Sequence, residues 1–285
     1  MAIRNSEGFL LVDKPAGLSS HDVVARVRRA RDRIRAGHTG TLDPFATGLL
    51  LVALGRATRL IRFVPSEPKV YDAVIAFGTA TDTDDATGNV VAQGPVPGDA
   101  AVLDAVGHLT GALQQVPPAY SARHVDGRRA YQVARSGIQP ELEPASITVH
   151  AWTIDALGDG RLAATIACSS GTYIRALARD LGTLCGTAAH LAALRRTRIG
   201  PFDVRDAVPP DESGDAPVIQ AADALVGLTR QVVAGDDLLR LAHGRPVVAR
   251  DGGATAALVD ESGALVAVGE RENDWWQPRV VIADD

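Results

Sequence analysis

Residues 36–48 read AGHTGTLDPFATG, and their only carboxylate is Asp43. Aspartate before proline is an ordinary turn residue. Three features give Asp43 a chemical alternative. Leu42, Phe45, Leu49 and Leu50 crowd it with apolar neighbours, and a carboxylate taken out of water needs a cation. Glycines at 37, 40 and 48 allow the backbone to approach a ligand closely. A carboxylate can also serve as a covalent nucleophile at a sugar carbon. The other candidates are distant in sequence: Tyr71 in VYDAVIAFG and Arg175 in GTYIR. Taken singly, Tyr71 fits a core position, His38 a turn and Arg175 a surface ion pair. Arg175 and Arg179 nevertheless fall near the start of a helix, where cations oppose the helix dipole, which points to a job for Arg175.

Several chemistries are excluded. The chain has no GxxxxGK[ST] phosphate loop, no GxSxG elbow, no HExxH and no dinucleotide fingerprint. Its seven histidines are scattered, which argues against a zinc hydrolase or deaminase. TATDTDDATGN resembles a calcium loop only superficially, because Ala86 and Thr87 occupy positions that need a ligand and a glycine. It reads as an acidic turn. A reaction needing neither metal nor redox cofactor remains favoured.

The elements that must position these residues are partly legible. SSHDVVARVRRARDRIRAG reads as a helix capped by Ser19 or Ser20 and ended by Gly37, with Val23, Val27, Ala30 and Ile34 near one face and arginines over much of the rest. Those arginines fit a solvated face and phosphate contact equally well. LLLVALGRATRL reads as a strand followed by a basic turn or helix, and VYDAVIAFG as an alternating strand. RLAATIACSSGTYIRALARDLGTLCG reads as strand, glycine turn and helix, with Ile174, Leu177, Leu181 and Leu184 as its stripe; AHLAALRRTRIG reads as a further helix. VPPDESGDAP reads as a linker. The remainder of the chain reads as a helix (DDLLRLAHG) and short strands, including a hairpin in ATAALVDESGALVAVGE.

Length and composition suit one large domain and one small one, with 46% apolar residues for a core. No apolar run approaches the roughly 18 residues of a membrane helix. The N-terminal stretch does not read as a signal peptide, and two cysteines make no disulfide framework, so a reduced cytoplasmic protein is expected. Net charge is −5, but it is unevenly spread: +6 over residues 1–62, −6 over 63–114, +4 over 115–205 and −9 over 206–285. PPAYSARHVDGRRAYQVARSG interleaves Tyr120 and Tyr131 with Arg123, Arg128, Arg129 and Arg135, a composition suited to stacking on RNA; the alternative is an exposed loop and short helix with ordinary core tyrosines, and RNA contact is the reading favoured.

KPAGLSSHDVV, RAGHTGTLDPFATGLLLVALGRAT, VYDAVIAFGTATDTDDATG and CSSGTYIRALARDLG occur in this order and spacing. Together they resemble the bacterial tRNA pseudouridine synthase B (TruB) family over roughly residues 8–205, and the tail more weakly resembles that family's PUA-like domain. The resemblance implies a mixed α/β (α+β) pseudouridine synthase fold around a largely antiparallel sheet, with a small C-terminal PUA-like β-barrel. It implies a catalytic domain over 1–220, an RNA-gripping insertion at about 117–145, and the small domain over 223–285. The implied activity is conversion of uridine 55 in the tRNA T-loop to pseudouridine, without cofactor or metal. Asp43 matches the catalytic aspartate, and Arg175 would pair with it and keep it ionised. Tyr71 would stack on the flipped uracil, and Tyr173 and Leu194 would line its pocket. His38 would fill the space the base leaves, and Lys14 would support the pocket or a nearby loop. Arg123, Arg128, Arg129 and Arg135 would grip RNA. Attack at the sugar, attack at the base and a glycal-type intermediate are all compatible with the sequence. The implied partner is the tRNA T-stem-loop, bound by a monomer that needs no membrane or protein partner. Two rivals are an enzyme of this fold acting on another or a guided RNA, and an idle RNA-binding or RNA-folding protein. The acidic tail fits poorly with a phosphate-gripping module.

Overall fold

Ser19 starts the first helix with a reciprocal cap: Asp22 N–H donates to its hydroxyl, and its own N–H donates to the Asp22 carboxylate. The computed structural model describes residues 7–121, 123–125 and 127–282. In chain order, β1 (Gly8–Lys14), α1 (Ser20–Ala30), β2 (Ala36–His38) and β3 (Thr47–Leu54) come first, then a 3-10 segment over Gly55–Phe63. β4 (Lys69–Phe77), β5 (Thr79–Thr81), β6 (Val90–Gln93), α2 (Asp99–His108) and β7 (Gly111–Gln115) come after it. A small hairpin of β8 (His124–Val125) and β9 (Arg128–Arg129) leads into α3 (Ala130–Arg135). Next are β10 (Ala145–Gly158), β11 (Arg161–Cys168), α4 (Ile174–Leu184), β12 (Ala189–Ile199) and β13 (Phe202–Asp203). The C-terminal part holds α5 (Ala221–Ala224), β14 (Thr229–Val232), α6 (Asp236–Ala242), β15 (Val247–Val248), β16 (Thr255–Val259), β17 (Leu265–Glu272) and β18 (Trp275–Val281).

These elements form two compact units, one holding the described residues up to Pro44, Gly48–Ser66 and those from Pro201 onward, the other Phe45–Thr47 and Glu67–Gly200. In the first unit β1 and β3 pair antiparallel from Gly8↔Leu54 to Lys14↔Gly48, and β2 also pairs with β3. Leu49 to Leu54 are all fully buried, the continuous run of a strand covered on both faces. Val23 and Val27 of α1 pack on Leu10, Val12, Leu50, Val52 and Leu54. The same unit carries a five-stranded sheet in the order β14-β16-β17-β18-β15, around a core that includes Leu241, Val247, Leu258 and Trp276. This sheet curls as a half-barrel, as expected of a PUA-like domain.

α1 ends at Ala30, short of the expected Gly37. Asp32 and Arg33 take left-handed φ values of 50° and 59°, and Arg33 N–H turns back to the Arg28 carbonyl at 2.7 Å, so the chain closes a Schellman-type stop without glycine. The expected linker around VPPDESGDAP is instead built into this unit. Val208 exchanges backbone bonds with β1 at Leu11 and Asp13, Ile219 does so at Phe9, and Ser213 is fully buried. Arg26 pairs with Asp211 at 3.2 Å, and Arg31 donates to the Ser213 and Ala216 carbonyls, so one arginine of α1 and the arginine that caps its C-terminus serve as struts.

In the second unit an antiparallel sheet runs β12-β4-β11-β10-β7. Tyr71, Ala73, Ile75 and Phe77 of β4 are buried on one face. Residues 189–199, expected to be helical, are strand β12. The reason is local: bulges between Leu191 and Ala193 and between Arg196 and Arg198 displace the alternation, so buried residues fall at 191, 194, 196 and 199. Spacings of three and two resemble a helical period, and the ladder with β4 overrides that signal. In α4, Ile174, Leu177 and Leu181 are buried as expected, but Leu184 is exposed.

Candidate active site

Asp43 is half-buried in the loop between β2 and β3, and the backbone on both sides of it is pinned. Leu42 N–H donates to the Ser20 hydroxyl at 2.9 Å, and that hydroxyl donates back to the Leu42 carbonyl at 3.2 Å. The Pro44 carbonyl accepts from Gly17 N–H at 2.8 Å and from Lys14 Nζ at 3.2 Å. Lys14 is fully buried and also donates to the carbonyls of Pro15 at 3.0 Å and Leu18 at 2.7 Å. Carbonyl dipoles thus replace the water that its ammonium loses. Gly17 has φ +84°, a conformation that suits glycine at this tight return. His38 ends β2 with its ring edge-on to His21, centroids 5.4 Å apart.

In the second unit Tyr71 and Arg175 are both buried. The β4–β12 register sets Tyr71 opposite Arg196 and Ala73 opposite Leu194, so these four share a sheet face. Arg196 is only 1% exposed. Arg175 stands in the first turn of α4. Its guanidinium donates to the Thr83 carbonyl at 2.9 Å and the Tyr120 carbonyl at 2.9 Å, and its Nε lies 3.7 Å from Asp85 Oδ2. Asp85 is buried, and its Oδ1 accepts from the Thr83 and Thr87 hydroxyls and from Thr87 N–H. One turn later Arg179 pairs with Asp84 at 3.2 Å and with Asp180 at 2.9 Å, and donates to the Val116 carbonyl at 2.8 Å. Burial pushes the Asp84 carboxyl up, against the pull of Arg179 and Arg175. The acidic turn therefore has an inner side that holds the two arginines of α4.

Tyr173 caps α4 through its backbone, which is bonded at both N–H and C=O to the Gln115 side chain. Burial lowers the Lys69 ammonium's pKa, with Arg196 adding repulsion, and pushes the Cys168 thiol up to about 11, which leaves that sulfur protonated and inert. An open cavity of about 420 Å³ is lined by Phe45, Asp72, Asp155, Leu194 and Arg195 among others.

The basic stretch after Tyr120 forms an exposed hairpin and short helix. Arg123, Arg128, Arg129 and Arg135 are exposed, and Arg135 lies over the Tyr131 ring at 5.5 Å. Residues 122 and 126, within the expected insertion, are outside the described residues.

Sequence reasoning missed Asp85, Gln115, Arg196 and Ser20. For Asp85 a signal existed: threonines two residues to either side, Thr83 and Thr87, offer hydroxyls to a buried carboxylate. For Gln115 and Arg196 none did, since only long-range packing buries them.

Residues 28–174 match the model of "TruB family pseudouridylate synthase (N terminal domain)", and residues 175–233 match "tRNA pseudouridylate synthase B C-terminal domain". The chain is 43% identical to tRNA pseudouridine synthase B of Thermobifida fusca, covering 98% of this chain and 99% of that one. It is 44% identical to the protein of the same name from Gloeobacter violaceus, covering 97% and 99%. Among solved structures, a chain of "Structure of H/ACA RNP bound to a substrate RNA containing 2'-deoxyuridine" superposes with a TM-score of 0.73 at 21% identity, covering 98% of this chain and 86% of that one. A chain of "Crystal Structure of a Cbf5-Nop10-Gar1 Complex" gives 0.72 at 23%, covering 98% and 84%; both likenesses concern the fold alone.

Proposed function

The chain belongs to the TruB family of pseudouridylate synthases, which isomerise uridine to pseudouridine in tRNA, and from that premise we propose that its target is uridine 55 of the T-loop. The observation that carries the reading is the Asp43 loop: a carboxylate whose flanking residues are fixed by Ser20 on one side and by Lys14 and Gly17 on the other. A nucleophile must be held while a base leaves, turns and returns, and a loop pinned on both sides does this without moving.

In this reading Asp43 is the nucleophile and Arg175 the cation that keeps it ionised. Tyr71 stacks on the flipped uracil, Tyr173 and Leu194 line the base pocket, and His38 fills the gap left in the RNA. Flipping costs a few kcal/mol, which stacking and insertion offset. The reaction exchanges the bond from N1 to the sugar for one from C5; C5 loses its hydrogen as a proton and N1 gains a proton. Lys14 keeps the nucleophile loop in place. Arg123, Arg128, Arg129 and Arg135 grip the T-stem-loop, on an insertion of about residues 117–145 within a catalytic domain over 1–220; residues 223–285 form the small domain. The protein acts in the cytoplasm as a monomer. Among the described residues no helix is long and apolar enough to cross a membrane.

Carbodiimide mapping of pseudouridine in an unmodified tRNA transcript tests the assignment. A single modified position, 55, is expected, present also in an isolated T-stem-loop and lost when that uridine is replaced by cytidine. Modification at another position, or of the tRNA lacking uridine 55, would contradict it.

A further inference from the structure

Gln115 is the last residue of β7 and is 3% exposed. Its amide makes a two-point bond to one residue: Oε1 accepts from Tyr173 N–H at 2.8 Å, and Nε2 donates to the Tyr173 carbonyl at 3.1 Å. A primary amide is the neutral side chain that offers a donor and an acceptor side by side, as a strand's backbone would. Tyr173 is the cap residue of α4 and makes no side-chain cap bond of its own, so the start of this helix is fixed from another element. Two further bonds join the same pieces of chain: Arg179 to the Val116 carbonyl and Arg175 to the Tyr120 carbonyl. The segment from Gln115 to Tyr120 is therefore laced to α4 at three points, and Gln115 supplies the first of them.

We propose that Gln115 is a positioning residue for the isomerisation: by holding both the N–H and the C=O of Tyr173, it sets where the first turn of α4 presents the Tyr173 ring and the Arg175 guanidinium. The proposal rests on the reading of Tyr173 and Arg175 given above. Arg175 carries its fork on a long side chain whose anchors, the Thr83 and Tyr120 carbonyls, lie on two different loops. A small shift of the helix start moves the guanidinium relative to both. Misplacement of about 1 Å can cost on the order of a hundredfold in rate.

The test uses the full chain with Gln115→Glu. An ionised carboxylate still accepts from Tyr173 N–H but sets its second oxygen against the Tyr173 carbonyl; a neutral carboxyl donates there and restores the pair. Single-turnover rates are measured at saturating tRNA from pH 8 down to pH 5.5, beside wild type, together with tRNA affinity and the unfolding midpoint. The expected result at pH 8 is a rate at least tenfold below wild type with tRNA affinity within twofold, and a ratio to wild type that recovers as the pH falls. A merely structural role would lower the folded fraction and leave the rate per folded molecule as it is. Gln115→Met, of similar volume and with no amide, guards against misfolding of the first variant; it should show the same loss at every pH. Wild-type rates in both variants, or losses that only track the folded fraction, would overturn the proposal alone. A wild-type protein that forms no pseudouridine in tRNA would overturn it together with the functional reading.

Discussion

At the scale of single residues, the buried ammonium of Lys14 has the widest consequence. It is fully out of water and donates to three carbonyls, one of them the residue after Asp43. Lys14→Met would leave those carbonyls without this donor, at a cost of about 2–4 kcal/mol. Urea unfolding should show that loss, and the isomerisation rate should fall with it because the Pro44 carbonyl then keeps only its bond from Gly17 N–H. Stability equal to wild type would mean that the loop does not depend on Lys14. Residues of this kind are legible when their chemistry is conspicuous. Asp43, with no arginine or lysine in its stretch, and Arg175, at the wrong end of a helix dipole, could both be singled out. Gln115 could not, because its burial and its bonds to Tyr173 depend on chain arriving from 58 residues away.

At the scale of elements, the exposed hairpin of β8 and β9 with α3 is the piece suited to polyanions. Arg128 and Arg129 are exposed on its second strand, and the guanidinium of Arg135 stacks on Tyr131. The double variant Arg128→Gln/Arg129→Gln should raise KM for tRNA more than it lowers kcat. It should also flatten the dependence of log affinity on log salt by about 0.7–0.9 for each phosphate contact removed. An unaltered salt slope would remove both arginines from the RNA interface. Alternating or strongly apolar elements such as β3 and β4 could be read directly. β12 could not: its two bulges put buried residues at a spacing that imitates a helix, in a run of Ala, Leu and Arg that favours one. The end of α1 was hidden for a related reason, since its left-handed stop is made by Asp32 and Arg33 in place of glycine.

At the scale of the whole molecule, charge and sequence order say different things. Residues 206–285 carry −9, which argues against phosphate binding there, yet part of that charge is neutralised internally: Arg279 bridges Glu270 and Glu272, and Arg250 meets Asp237. The stretch before residue 220 looked like a linker from its Pro, Asp and Gly content, but its backbone is bonded to β1, a long-range pairing that composition does not reveal. Four short motifs in fixed order carried the family assignment where no single residue could. Isomerisation of uridine in tRNA through Asp43 is tested most directly by tritium release. A tRNA transcript labelled with tritium at C5 of uracil is incubated with wild type and with Asp43→Asn. Wild type should release tritium to water while Asp43→Asn binds the tRNA and releases none above background. Comparable release by both would strip Asp43 of its role, and release by neither with tRNA still bound would leave a binding protein.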